Sequence, residues 1–89
     1  MLGVVFWSAF LLNLWGMPRV PQHRKILGET IRKYRKQTKM SQEKLAEKAD
    51  LHPVYIGKVE RGEQWISLHA LLRVGKALGV RISELVADL

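Results

Sequence analysis

The sequence has 89 residues, and a domain of this size buries only about 60% of the surface that its unfolded chain exposes. We therefore expect a single domain with little room for an enzyme pocket. The formal net charge of +7 attracts nucleic acid, an anionic membrane or an acidic partner alike. The absence of cysteine excludes disulfides, thiolate metal sites and a cysteine nucleophile, and it favours a reducing compartment, the cytoplasm.

The start of the chain is apolar, because every Lys, Arg, Asp and Glu lies beyond Pro18. We therefore predict an apolar segment over residues 1–18 and a folded domain over 19–89. A helix from Leu2 to Trp15 would be about 21 Å long, which is short of the hydrocarbon core of about 30 Å. Neither the basic start nor the cleavage site of a signal peptide is clear. Three interpretations stay open: translation that starts at Met17, packing of the segment on the domain or a partner subunit, and membrane attachment, the least favoured.

Helical spacing of apolar residues follows, with no alternating strand pattern and no solenoid-length repeat. A first helix is predicted over 24–38, with an apolar face of Leu27, Ile31, Tyr34 and Thr38. The basic residues of this region are expected to attract a nucleic-acid duplex at long range: Arg32, Lys33, Lys36 and Lys39. Ser41 is the predicted N-cap of a second helix, whose inward residues are Leu45, Ala46 and Ala49.

A short third helix is predicted over 53–61, after a tight turn. His52 suits its N-cap, Pro53 its first position and Gly62 the residue after its end. Two short helices joined by such a turn form a helix-turn-helix unit, whose second helix enters the major groove of DNA.

Two further helices are predicted, so the fold class is all-α with five helices. Ser67 caps the fourth helix and Gly79 ends it. Its predicted core residues are Leu68, Leu71, Leu72, Val74 and Leu78. A final turn or two begins at Ser83, with the apolar residues Leu85, Val86 and Leu89.

Several short motifs together resemble the Xre/Cro/lambda-repressor helix-turn-helix family over about residues 24–86. They are Arg35, Ser41-Gln42, Leu45-Ala46, Tyr55-Ile56, Glu60-Arg61-Gly62 and Leu78-Gly79-Val80. The resemblance implies a compact five-helix Cro/lambda-repressor-like domain, a recognition helix over 53–61, and binding to double-stranded DNA, usually as a dimer on near-palindromic sites. The run HPVYIGKVERGEQWISL also resembles restriction-modification controllers, while antitoxins and phage repressors share the fold. The biological circuit therefore stays open.

The resemblance also assigns residues to DNA. Gln42 matches a position that touches a phosphate and braces the recognition helix. The base-facing positions are His52, Val54 and Lys58, with Pro53 and Gly57 beside them, and the backbone-contacting positions are Tyr55 and Arg61. His52 is weighed equally as a plain cap. The predicted base readout is thin: Lys58 best matches the O6 and N7 acceptors of guanine, and Val54 offers only apolar contact, such as to a thymine methyl.

One structural role follows from the same resemblance, and a dimer contact is expected from the apolar end of the chain. Arg35 and Glu60 match an ion pair between the first and third helices, in which loss of one partner costs about 3 to 5 kcal/mol. A two-fold dimer is predicted through the fourth and fifth helices, around Trp65, Leu85 and Leu89, because an apolar last helix suits a symmetric contact.

The sequence thus predicts a cytoplasmic, sequence-specific regulator of transcription that is not an enzyme and uses no cofactor. No His has a metal-ligand neighbour at helical spacing, so no metal site is expected. No catalytic set or glycine-rich phosphate loop is apparent. The alternative hypothesis is a protein-interaction or membrane-tethered adaptor that uses Met1–Trp15 and keeps the helix-turn-helix as a scaffold. Steep salt-dependent binding to duplex DNA separates the two hypotheses.

Overall fold

The structure, a computed structural model, describes residues 22–89. Its helices are α1 (Gln22–Gln37), α2 (Gln42–Ala49), α3 (Pro53–Glu60), α4 (Leu68–Leu78) and α5 (Ile82–Leu85). Across these residues there is no strand, and none of the helices is long and apolar enough to cross a membrane. Within residues 22–89 the predicted all-α class with five helices is confirmed. The interpretations of Met1–Trp15, the start at Met17 and the boundary after residue 18 lie outside the described residues.

Serine side chains begin two of the helices, as their positions in the sequence predict. The Ser41 hydroxyl accepts a hydrogen bond from the Lys44 N–H at 3.0 Å, and the Ser67 hydroxyl accepts one from the Ala70 N–H at 3.0 Å. Each bond satisfies a backbone donor that has no partner within the first turn of its helix. At the other end of α4, Gly79 has φ 73°, a left-handed conformation that stops a helix at little cost in glycine.

The core lies among all five helices. Helix α2 packs against α3 and α4, α1 packs against α3 and α5, and α4 packs against α5. The buried apolar residues are Leu27, Ile31, Leu45, Ala46, Ala49, Ile56, Val59, Ile66, Ala70, Leu71, Val74, Leu78 and Leu85. Helix α3 is therefore supported by α1 on one side and α2 on the other.

Two of the predicted core residues of α4 are wrong. Leu68 is 68% exposed and Leu72 is 52% exposed. The buried stripe of this helix consists of Ala70, Leu71, Val74, Gly75 and Leu78. Apolar residues cover more than one face of α4. The face that packs into the core includes the small residues Ala70 and Gly75. A Cβ at Gly75 would lie 3.1 Å from the Val80 carbonyl oxygen, so the missing side chain lets the following chain pack closely.

The burial of Leu85 in the last helix contradicts its predicted role in the dimer contact. It begins one residue before Ser83, and Arg81 stands at its N-cap without a side-chain hydrogen bond. Leu85 is only 1% exposed, whereas Leu89 is 42% exposed. Leu85 belongs to the subunit core instead of the predicted dimer interface, because its side chain has almost no surface left to offer a second copy.

Candidate nucleic-acid interface

The start of α3 is fixed by His52. Its Nδ1 accepts a hydrogen bond from the Val54 N–H at 3.1 Å, and Pro53 fills the first helical position, where no backbone donor is needed. A neutral imidazole that accepts at Nδ1 carries its proton on Nε2. His52 is thus a capping residue whose exposed ring still has one N–H to donate.

The end of α3 is held by a buried ion pair. Arg35 donates from Nε to Glu60 Oε2 at 2.6 Å and from Nη2 to Glu60 Oε1 at 3.0 Å. The two side chains are 10% and 2% exposed. The hydrogen bond to Glu60 raises the pKa of the Arg35 guanidinium, and burial opposes this effect. Two parallel bonds fix both groups, so the pair joins α1 to the last turn of α3.

Two further hydrogen bonds reach the same end of α3. Gln42 donates from Nε2 to Glu60 Oε1 at 3.0 Å, which braces α3 from the start of α2. Arg24 donates from Nε to the Gly62 carbonyl oxygen at 2.6 Å. Sequence reasoning missed Arg24, because its acceptor is a backbone atom 38 residues away and any residue type could supply it.

A third contact joins α3 to the start of α4. The half-buried Tyr55 accepts a hydrogen bond at its hydroxyl from the Ser67 N–H at 3.0 Å. The hydroxyl hydrogen of Tyr55 is then free to be donated to another acceptor. One side chain thus positions the recognition helix and keeps a donor for the DNA backbone position that the resemblance assigns to it.

The predicted base-facing side chains are exposed on this supported helix. His52 and Lys58 are exposed, and Val54 is 56% exposed. A shallow groove beside them is lined by Gln42, Glu43, Pro53, Val54, Gly57 and Arg61. Lys58 follows Val54 by one helical turn. The geometry gathers hydrogen-bond donors and one apolar side chain along a single exposed surface.

Gly57 lines the same groove as Val54 but is itself covered. A Cβ at this position would lie 3.1 Å from Arg61 Nη1 and 3.4 Å from Gln42 Oε1. Those two side chains cover the glycine. Gly57 therefore presents little surface of its own and instead makes room for the guanidinium of Arg61.

Arg61 is engaged by a residue that sequence reasoning missed. It donates from Nε to Glu63 Oε1 at 3.1 Å and from Nη2 to Glu63 Oε2 at 3.0 Å. The side chains are 57% and 52% exposed. These bonds hold the pKa of the Glu63 carboxyl below its usual value and raise the pKa of Arg61. A spacing of two residues just beyond a helix end is not a recognised side-chain pair, so no pattern pointed to Glu63.

Basic side chains outnumber acidic ones in a groove beside α3 and are exposed along α1. A second groove next to the buried ion pair is lined by Lys25, Glu29, Arg32, Arg35, Gln42, Glu60 and Arg61. The basic residues of α1 and its end that were predicted to attract a duplex are all exposed: Arg32, Lys33, Lys36 and Lys39. Within the described range no group of three or more side chains is arranged to hold a metal ion. The chemistry on offer is hydrogen-bond donation to phosphate and to base acceptors.

Comparison with known proteins agrees with this geometry. The profile of the helix-turn-helix family matches residues 31–85, which include all of α2 to α5. Control protein C.SmaI of Serratia marcescens is 43% identical over 63 residues, which cover 71% of this chain and 75% of that protein. Control protein C.BamHI of Bacillus amyloliquefaciens is 42% identical over 64 residues, with 71% of this chain and 79% of that protein covered.

A solved structure shows the same likeness in three dimensions. The restriction-modification controller protein C.AhdI from Aeromonas hydrophila superposes with a TM-score of 0.67 at 36% identity, covering 68% of this chain and 92% of that one. The fold, the supported recognition helix and the sequence matches therefore agree. The chain belongs to the Xre-type helix-turn-helix family of DNA-binding transcription regulators.

Proposed function

We propose that the chain binds a near-palindromic site in double-stranded DNA as a homodimer and regulates transcription there as a restriction-modification controller. The observation that carries the proposal is a recognition helix capped at its start by His52 and held at its end by the buried pair of Arg35 and Glu60, with Val54 and Lys58 exposed. Preorganised side chains on a rigid helix are what groove readout requires. The match covers more than two thirds of each similar control protein but less than half of a similar phage immunity repressor, which favours the controller role. The proposal places the chain in the cytoplasm and gives it no catalytic step.

The proposal divides the side chains around α3 into two roles. Lys58 donates to guanine O6 or N7, and Val54 contacts a thymine methyl. His52, at the base-facing position before them, keeps one ring N–H to donate, and the donors to phosphate are Gln42, Tyr55 and Arg61. Pro53 has no backbone N–H and serves mainly to begin the helix. A few base contacts amid many phosphate contacts predict modest specificity for one subunit.

Dimerisation supplies the missing specificity. Leu68 and Leu72 lie one turn apart on α4 and are exposed, as are Trp65 and Leu89. In the proposed seam, Leu68 and Leu72 replace Leu85, while Trp65 and Leu89 remain, because these four are the large apolar side chains with exposed surface outside α3. Two recognition helices spaced by one turn of DNA, about 34 to 36 Å, would read a palindromic site.

Salt dependence tests the proposal as a whole. Each phosphate neutralised contributes about 0.9 to the fall in log affinity with log salt, so a few contacts in each subunit predict a slope magnitude of about 4 to 8 per dimer. Fluorescence anisotropy with a labelled duplex across a salt series measures this slope. A flat response would show that the chain does not bind DNA through its basic surface.

Two lysines provide a matched test of base readout. Lys58→Ala should cost about 1 to 3 kcal/mol on the preferred site and relax one base pair in each half-site. Lys33→Ala removes the same charge from exposed α1 and should weaken all duplexes alike. Selection of bound sequences from a random DNA pool compares the two variants. An unchanged sequence preference for Lys58→Ala would refute the assigned register of the recognition helix.

A further inference from the structure

Glu63 binds Arg61, the residue proposed to donate to a DNA phosphate. Both carboxylate oxygens accept hydrogen bonds from Arg61, at 3.1 and 3.0 Å, although the two side chains are about half exposed. We propose that Glu63 is an intramolecular competitor for DNA phosphate, and that it limits the affinity of the chain for any duplex by occupying Arg61. This inference rests on the proposed function, in which Arg61 donates to a phosphate.

The geometry explains why the two ligands compete. Carboxylate and phosphate both take two parallel hydrogen bonds from one edge of a guanidinium. Glu63 takes the edge formed by Nε and Nη2 of Arg61. The remaining nitrogen, Nη1, lies over Gly57, 3.1 Å from the point where a Cβ would stand. A phosphate that approaches the Nε and Nη2 edge must displace the carboxylate, and one that approaches the edge of Nη1 and Nη2 meets the negative charge of Glu63 on the same guanidinium.

The contact between Glu63 and Arg61 can be broken at a low cost in free energy. An exposed ion pair contributes little to stability, so Glu63 can leave Arg61 without unfolding the chain. Once displaced, the carboxylate attracts a cation from solution. This uptake offsets the release of one of the counterions that leave the DNA when the protein binds. A Glu carboxylate is charged at neutral pH, and its hydrogen bonds to Arg61 lower the pKa of Glu63 further, so the competition operates under those conditions. Both affinity and salt dependence are thereby reduced.

The test compares Glu63→Gln with Glu84→Gln in the full chain. Both variants remove one negative charge, but Glu84 is exposed on α5 and far along the chain from the recognition helix. With a duplex of random sequence, Glu63→Gln should bind more tightly than Glu84→Gln, by up to about fivefold for each subunit, as expected for an exposed ion pair. The slope of log affinity against log salt should steepen by about 0.9 for each subunit.

Replacement of Arg61 tests whether Glu63 changes DNA affinity through Arg61. The gain from Glu63→Gln should disappear when Arg61→Gln is also present, and thermal melts should show that all variants stay folded. If Glu63→Gln binds no tighter than Glu84→Gln, or binds more weakly, Glu63 does not compete with phosphate and the inference is overturned. If the unaltered chain shows no salt-dependent DNA binding, the proposed function fails as well.

Discussion

At the scale of single residues, Arg35 and Glu60 are charged side chains almost entirely removed from water. Arg35→Ala would leave the Glu60 carboxylate buried with only Gln42 as a side-chain donor. We expect the free energy of unfolding to fall by about 3 to 5 kcal/mol, since an uncompensated charge remains in a poorly solvated place. Chemical denaturation followed by circular dichroism measures the loss.

The double variant Arg35→Ala, Glu60→Ala is the control for this mechanism. Each single substitution strands the other charge, whereas the double substitution strands neither. The double loss should therefore be smaller than the sum of the two single losses. Strict additivity would contradict a direct energetic coupling between the two groups.

His52 allows capping and DNA contact to be separated. His52→Ala removes the acceptor of the Val54 N–H and should lower the free energy of unfolding by about 0.5 to 2 kcal/mol. His52→Ser retains a cap but has a shorter donor, so it should restore stability while leaving DNA affinity reduced. Thermal melts and anisotropy titrations of both variants measure the two effects. Equal DNA affinity of His52→Ser and the unaltered chain would assign His52 to capping alone.

At the scale of helices, the approach of α1 to α3 depends on Gly28. An added Cβ would lie 2.7 Å from the Glu60 carbonyl oxygen and would also overlap the Val59 carbonyl oxygen. Backbone atoms cannot rotate away as a side chain does, so Gly28→Ala must move one helix. We expect a loss of about 1 to 3 kcal/mol in stability, as for other overpacked sites, together with weaker DNA binding because α3 shifts. Denaturation and anisotropy titrations check both effects.

Gly75→Ala is the matched comparison in another helix. The nearest atom to the added methyl would be the Val80 carbonyl oxygen at 3.1 Å, a tight contact without the overlap found at Gly28. Helix propensity favours alanine by about 1 kcal/mol, which offsets part of this crowding. The change in stability should therefore be smaller than for Gly28→Ala, with DNA affinity preserved. A similar loss of DNA binding in both variants would show that the effect is not transmitted by α1 and α3.

At the scale of the whole molecule, two copies that each carry a formal charge of +7 repel one another. Association therefore needs apolar contact, and Leu72→Ser should shift the chain toward monomer while its thermal stability changes little, because this side chain is 52% exposed. Operator affinity should fall with it. Val54→Ser is the control, since it removes an exposed apolar side chain from α3 and should spare the dimer. Analytical ultracentrifugation of both variants decides, and an unaltered dimer with Leu72→Ser would place the seam elsewhere.

The sequence by itself determined the helices and the family, because the signals for them are local. Ser41, Ser67 and Gly79 act on backbone groups within about one turn, and apolar spacing repeats within a single helix. The motif around the recognition helix was equally readable, since it lies in one continuous stretch from α2 to the end of α3. These features depend on near neighbours in the chain, so their prediction did not require knowledge of how the helices pack.

Only the tertiary structure decided which surface of each helix is free. Leu68 and Leu85 are both leucines in predicted helices, yet Leu68 is exposed and Leu85 is buried. Burial depends on which other helix packs against each position. The closeness of α1 and α3 at Gly28 and the bond of Arg24 to a distant carbonyl likewise involve residues far apart in sequence. The pairing of Glu63 with Arg61 was not predicted from the sequence for a different reason. It depends on the path of the chain after α3, where no periodic pattern constrains the side chains.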